Sequence, residues 1–149
     1  MRDAVGGSFM IKLIIVFLVL YIIFVAVALN YAKAFRVKNK VLDIIEQNEG
    51  IKDYDNASDT AITQISAYMN SVSYKINKDT ADKKCKEAYG NDVFVGKEGY
   101  CIIEVRGNND INADYYKVAT FVTIDFPFLN LSFTIPIQGE TRKIERINT

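Results

Sequence analysis

The sequence predicts an α+β fold, in which a long N-terminal transmembrane-plus-stalk helix and a short second helix accompany a C-terminal antiparallel β-meander. Three observations carry that expectation. Residues 13–29 are 17 consecutive, largely apolar side chains with no charge, glycine or proline among them. Apolar residues then recur mainly at intervals of three and four as far as Ile45, and no helix breaker intervenes before Gly50, the pattern of an amphipathic helix. Beyond Tyr115 the period changes to two, over 115–126 and again over 131–137, as half-buried strands require. The chain is therefore expected to divide into a short N-terminal leader or tail (1–12), a transmembrane helix (13–29), a helical stalk (30–49) and an extracytoplasmic α+β domain (50–149).

Seventeen residues lie at the short end for crossing a bilayer. Phe9, Met10 and Ile11 extend the run if the Lys12 ammonium snorkels to the headgroups. Lys12 then reads as an anchor, or as one half of a salt bridge that fixes register with a neighbouring subunit. Tyr21 stands mid-span, where its hydroxyl needs a helix partner, and the face bearing Ile22 and Val25 is the expected assembly surface. A secretory signal peptide is the rival reading, since Ala26-Val27-Ala28 has the small-x-small form of a cleavage site. Against it, the run exceeds an ordinary signal core and the helical pattern passes through the site without a turn residue.

Helical from Phe9 to Glu49, this segment would be a rod of ~60 Å at roughly 1.5 Å per residue. Its stripe past Asn30 runs through Tyr31, Phe35, Val41, Leu42 and Ile45, and Lys38 interrupts it once. Asn48-Glu49-Gly50 reads as the stop, with Gly50 as the left-handed cap. Residues 51–59 are polar and turn-like. A second helix is expected from about Thr60 to Val72, capped by Asp59 or Thr60, with Ile62, Ile65, Met69 and Val72 on its core face. Residues 73–99 are charged and predict irregular structure. Strands are then expected at 100–106, at 115–126 with Tyr116, Val118, Val122, Ile124 and Phe126 on one face, and at 131–137. Pro136 assigns the last of these to an edge or a strand end.

Charge separates few function classes, because 18 basic and 18 acidic residues cancel over the chain. Nucleic acid is thus not an expected partner. Histidine is absent, which removes the commonest general base and metal ligand. No phosphate-binding glycine loop, nucleophile elbow or cysteine–histidine metal spacing occurs. No cofactor, metal or small-molecule substrate is therefore expected, and the chain does not read as an enzyme. Two oxygen-rich clusters, Asp53/Asp55/Asn56/Asp59 and Asn108/Asn109/Asp110/Asp114, lack EF-hand spacing and read as solvated loops. The basic C-terminal residues Arg142, Lys143 and Arg146 alternate with acids and read as solvated too.

The only two cysteines, Cys85 and Cys101, would close a loop of 17 residues if oxidised; the alternative is a pair of buried thiols. Direction across the membrane is contested. Lys33, Arg36, Lys38 and Lys40 follow the span, whereas only Arg2 and Lys12 precede it, so the positive-inside rule taken alone puts the large domain in the cytoplasm. The short tail, the β-rich domain and the cysteine pair favour the outside.

The opening Met1-Arg-Asp-Ala-Val-Gly-Gly7-Ser8-Phe9, followed at once by the apolar run, resembles a type IV prepilin. In layout and size, and in Val122-Thr-Ile-Asp-Phe-Pro127 and Phe133-Thr-Ile-Pro-Ile-Gln-Gly139, the chain is similar to TadE-like pseudopilins of tight-adherence (Tad) pili. The resemblance implies a single-pass cell-membrane protein with its domain extracytoplasmic, cleavage between Gly7 and Ser8, and assembly with other pilin-like subunits or envelope proteins in the lipid bilayer. One departure is plain: cleavage after Gly7 makes Lys12 the fifth mature residue, where pilins usually carry glutamate. That favours a minor subunit or assembly component. The alternative is an anchored extracytoplasmic binding domain that forms no filament.

Overall fold

The structure is a computed structural model that describes residues 2–52, 54, 60–107, 113–126 and 131–145. Two compact units divide the chain, Met1–Ala32 and Lys33–Thr149. Helix α1 (Arg2–Gln47) is one unbroken element of 46 residues that supplies the described part of the first unit and opens the second. It begins at Arg2, so the expected leader or tail is helical as well.

In the first unit, neither glycine nor proline interrupts the helix after Gly7. Its many β-branched residues are mediocre helix formers in water, whereas an apolar medium forces every backbone group to bond within the segment. Side chains from Phe9 to Leu29 are exposed on nearly every side. The helix is long and apolar enough to cross a membrane, a property it shares with signal sequences.

The second unit is a layered α+β domain. Its remaining elements are α2 (Thr60–Ser71), α3 (Lys78–Tyr89), β1 (Phe94–Val95), β2 (Cys101–Val105), β3 (Ala113–Phe126), β4 (Leu131–Glu140) and β5 (Ile144–Glu145). Strands β1-β2-β3-β4 form an antiparallel meander, and β5 pairs with the start of β3. Register is set by alternation: Ile102 lies opposite Val118, Val122 opposite Ile135, and Thr120 opposite Ile137. Ile102, Val118, Val122 and Ile137 face the stalk part of α1 and α2, in a core that includes Val37, Val41, Ile45, Ile65, Met69 and Tyr116, while Ile135 stays exposed.

Three expectations need correction. The stalk's buried face is Ala34, Val37, Lys38, Val41, Ile44 and Ile45, while Phe35 stays exposed. The stripe is rotated because β3 and β4 approach where side chains are small. The Thr120 hydroxyl donates to the Ala34 carbonyl oxygen at 3.0 Å, and a Cβ on Gly139 would lie 2.8 Å from Lys38 Cδ. Lys38 lies within the stripe, its stem buried and its ammonium 4.3 Å from the Phe35 ring centroid.

The helix stop is also displaced by one residue. Gly50 N donates to Ile45 O at 2.9 Å and Glu49 N to Glu46 O at 3.2 Å, the paired bonds of a Schellman cap. Its left-handed C′ position therefore belongs to Glu49 (φ 56°). Gly50 follows with a positive φ of its own (103°), and a Cβ there would also meet the Tyr116 hydroxyl at 2.7 Å.

Residues 73–99 are not irregular. They hold α3 and β1. Helix α3 shows almost no apolar period because only Ala81 and Cys85 are buried. Its start is fixed instead by Asn77, whose side-chain oxygen accepts from Asp79 N (2.9 Å) and Thr80 N (3.4 Å). Asp82–Lys86 and Lys84–Glu87 lie along its surface. It covers the other face of the sheet, so Ala119 and Phe121 are buried there with Cys85 and Cys101. Helix α2 matches the expected span to within one residue, whereas its proposed cap Asp59 lies outside the described residues.

Candidate functional site

Two features of the chain have functional potential: the exposed apolar helix of the first unit, and the cleft and cystine of the second. Along α1, Tyr21, Ile22 and Val25 fall within about 100° of arc at 3.6 residues per turn and are all exposed. No polar face opposes them, since the helix is apolar all round from residue 13 to 29. Such a helix needs an apolar medium or close partners. Lys12 is exposed one residue before that run. Gly7 and Ser8 are helical and exposed, and a Cβ added to Gly7 would meet nothing within 4 Å.

Cys85 and Cys101 are joined in a disulfide, with Cα atoms 6.1 Å apart and both residues fully buried. The bond ties α3 to the first residue of β2. Of the basic residues that follow the span, two are used in folding the domain. Lys33 donates to the Ser73 carbonyl oxygen at 2.9 Å, and Lys38 lies over Phe35. Each therefore has a structural role independent of any membrane signal.

A cleft of about 470 Å³ opens beside α2 and β1, walled by Tyr54, Ile62, Phe94 and Tyr100, with Lys78 and Lys97 at its margin. The Tyr54 and Phe94 rings lie 5.1 Å apart, and Tyr100 meets Phe94 edge-on at 6.3 Å. Burial and then the neighbouring Glu98 charge push the Tyr100 hydroxyl far above the ordinary tyrosine range, so it stays neutral at any physiological pH. Sequence reasoning missed this cleft, because Phe94 sits in the segment read as irregular and Tyr54 in a polar loop.

Among the described residues, no three His, Cys, Asp or Glu side chains converge as metal ligands do. The first oxygen-rich cluster lies outside the described residues, as do Asn108, Asn109 and Asp110 of the second. Asp114 is described and buried, and its carboxylate accepts from Gly107 N at 3.3 Å. Compared with family models, with curated proteins and with solved structures, the chain has no match in any of the three.

Proposed function

We propose that the chain is a structural, single-pass membrane protein that acts as a pilin-like minor subunit or assembly component of a surface filament or secretion apparatus. The observation that carries this reading is α1 itself. One unbroken helix is apolar and exposed on nearly every side in its first part, and buries a stripe against a β-sheet in its last. Such a helix supplies both an anchor and a surface for packing against like helices. The cystine supports an extracytoplasmic location, because disulfides persist mainly in oxidising compartments. The structural use of Lys33 and Lys38 supports it as well, since it weakens their force as positive-inside signals.

The test is the fate of the chain after cells are sheared. The proposal expects the chain in the released filament fraction, and its loss from that fraction in Ile22→Asp or Val25→Lys variants that remain in the membrane. A chain absent from sheared filaments contradicts the filament role. The aromatic cleft favours the second reading, an anchored domain that binds a ligand through Phe94 and Tyr100. In that case Phe94→Ala weakens binding, while the helix-face variants only perturb insertion.

A further inference from the structure

We infer that the end of the second unit where the chain enters it rests on the bilayer surface, with the β3–β4 hairpin contributing apolar side chains at the boundary between acyl chains and headgroups. The inference depends on the membrane reading of α1 proposed above. It starts from where the domain leaves apolar side chains in the open. Among the described residues, the large apolar groups that the second unit exposes are Phe35, Phe133 and Ile135.

All three are at one end. Contacts between stalk and sheet advance steadily: Arg142 N bonds to Glu46, Gly139 packs by Lys38 and Leu42, and Thr120, opposite Ile137, bonds to Ala34. Past that last contact the hairpin runs on to the Phe126–Leu131 pair, about 20 Å at roughly 3.3 Å per residue. Phe133 and Ile135 lie in this extension, and Phe35 follows Ala34. Lys33, the first residue of the unit, is four residues past Leu29. Even a fully extended link of that length spans only about 14 Å, so the residue that opens the unit stays near headgroup level.

Lipid fits the surface better than a second copy of the chain does. Arg36, exposed beside Phe35, offers a cation to anionic headgroups. Pairing along the free edge of β4 is hindered by Pro136. Phe121 N donates to the Tyr74 hydroxyl, away from β4, so the Phe121–Pro136 pair is not hydrogen-bonded. The N–H that proline lacks would therefore face the outer edge, where a neighbouring strand would need it.

The chain contains no tryptophan, so a single indole reports its own surroundings. The full-length chain is reconstituted in vesicles of phosphatidylcholine and phosphatidylglycerol whose acyl chains are brominated or unbrominated. Four variants are compared: Phe133→Trp, Ile135→Trp, Phe17→Trp within the span, and Tyr115→Trp at the far end of β3. The inference expects blue-shifted emission at 133 and 135 that loses most of its intensity in brominated lipid, as at 17, with no loss at 115. Emission at 133 and 135 that ignores bromine while 17 is quenched overturns the inference and leaves the membrane reading standing. Shielding at 133 that needs no bromine and grows with the protein-to-lipid ratio assigns the surface to a second copy, and equal quenching at 115 removes any preference for this end; either outcome overturns the inference. An unquenched probe at 17 overturns both readings.

Discussion

The Tyr74 hydroxyl takes the place in the sheet that β2 vacates beside Phe121. It accepts from Phe121 N at 2.8 Å, and its oxygen, as donor, lies 3.2 Å from Phe121 O and 3.4 Å from Gly99 O. The last β2–β3 pair is Cys101 with Ala119, so among the described residues no strand pairs with the next backbone groups of β3 on that side. A buried amide left unpaired costs about 1–3 kcal/mol. Tyr74→Phe keeps the ring and removes the partner. It is expected to lower unfolding free energy by about that amount, read by urea denaturation of the detergent-solubilised chain.

The same hydroxyl gives a pH dependence. Burial raises its pKa to about 12, partly offset by the hydrogen bond from Phe121. The folded state thus binds this proton more tightly than the unfolded chain, whose tyrosines titrate near 10. Stability from this group is complete below about pH 10 and declines as pH rises towards 12, by up to about 1.4 kcal/mol per unit for one proton. The expected alkaline unfolding curve is steeper for the parent chain than for Tyr74→Phe. Identical curves would assign the effect to Tyr100, which burial shifts in the same direction.

Removing the cystine through Cys85→Ala with Cys101→Ala is expected to lower stability by about 3 kcal/mol, the chain-entropy value for a loop of roughly this length. Helix α3 depends on it most, since its other buried side chain is the small Ala81. Hydrogen exchange should therefore show α3 losing protection before α2 does.

Two helices end on left-handed residues that are not glycine, Glu49 at φ 56° and Ser73 at φ 52°. After α2 the bonds repeat the Schellman pattern, with Tyr74 N donating to Met69 O at 2.9 Å and both side chains buried. The left-handed conformation costs an L-residue roughly 1–2 kcal/mol, and glycine gives part of that back as backbone entropy. Glu49→Gly and Ser73→Gly should each stabilise the domain by about 0.5–1 kcal/mol, with thermal midpoints as the measure.

Lys38 separates packing from charge. Lys38→Met retains most of the buried stem and loses a cation–π contact of about 0.5–1 kcal/mol, so a small loss in urea unfolding is expected. Lys38→Ala also vacates the space against Gly139 and should lose clearly more. Equal losses would mean that the charge carries the residue's contribution.

Much of this architecture was legible in the residues, for stated reasons. The apolar run, the α2 spacing, the β3 alternation and the edge role of Pro136 each follow from one dominant period or one backbone constraint. The rest is settled by tertiary contact. Helix α3 carries two buried side chains among charged ones, so its period is almost silent and a cystine holds it in place. Phe121 breaks the polar side of β3 because α3 covers that face, and nothing local announces a second layer. Lys38 looked like an interruption because its charge hides an apolar stem. The aromatic cleft joins Tyr54, Phe94 and Tyr100 from separate segments, which no spacing rule brings together.

The central claim is that α1 places an oxidised domain outside the membrane that holds its first half. Labelling intact cells with a membrane-impermeant amine reagent, followed by mass spectrometry, tests it most directly, because Lys83, Lys84, Lys86 and Lys97 are all exposed. The account predicts that these four lysines are modified before lysis, in a chain that stays with the membrane. Modification only after lysis, or recovery of the chain as a soluble species trimmed past Ala28, would contradict it.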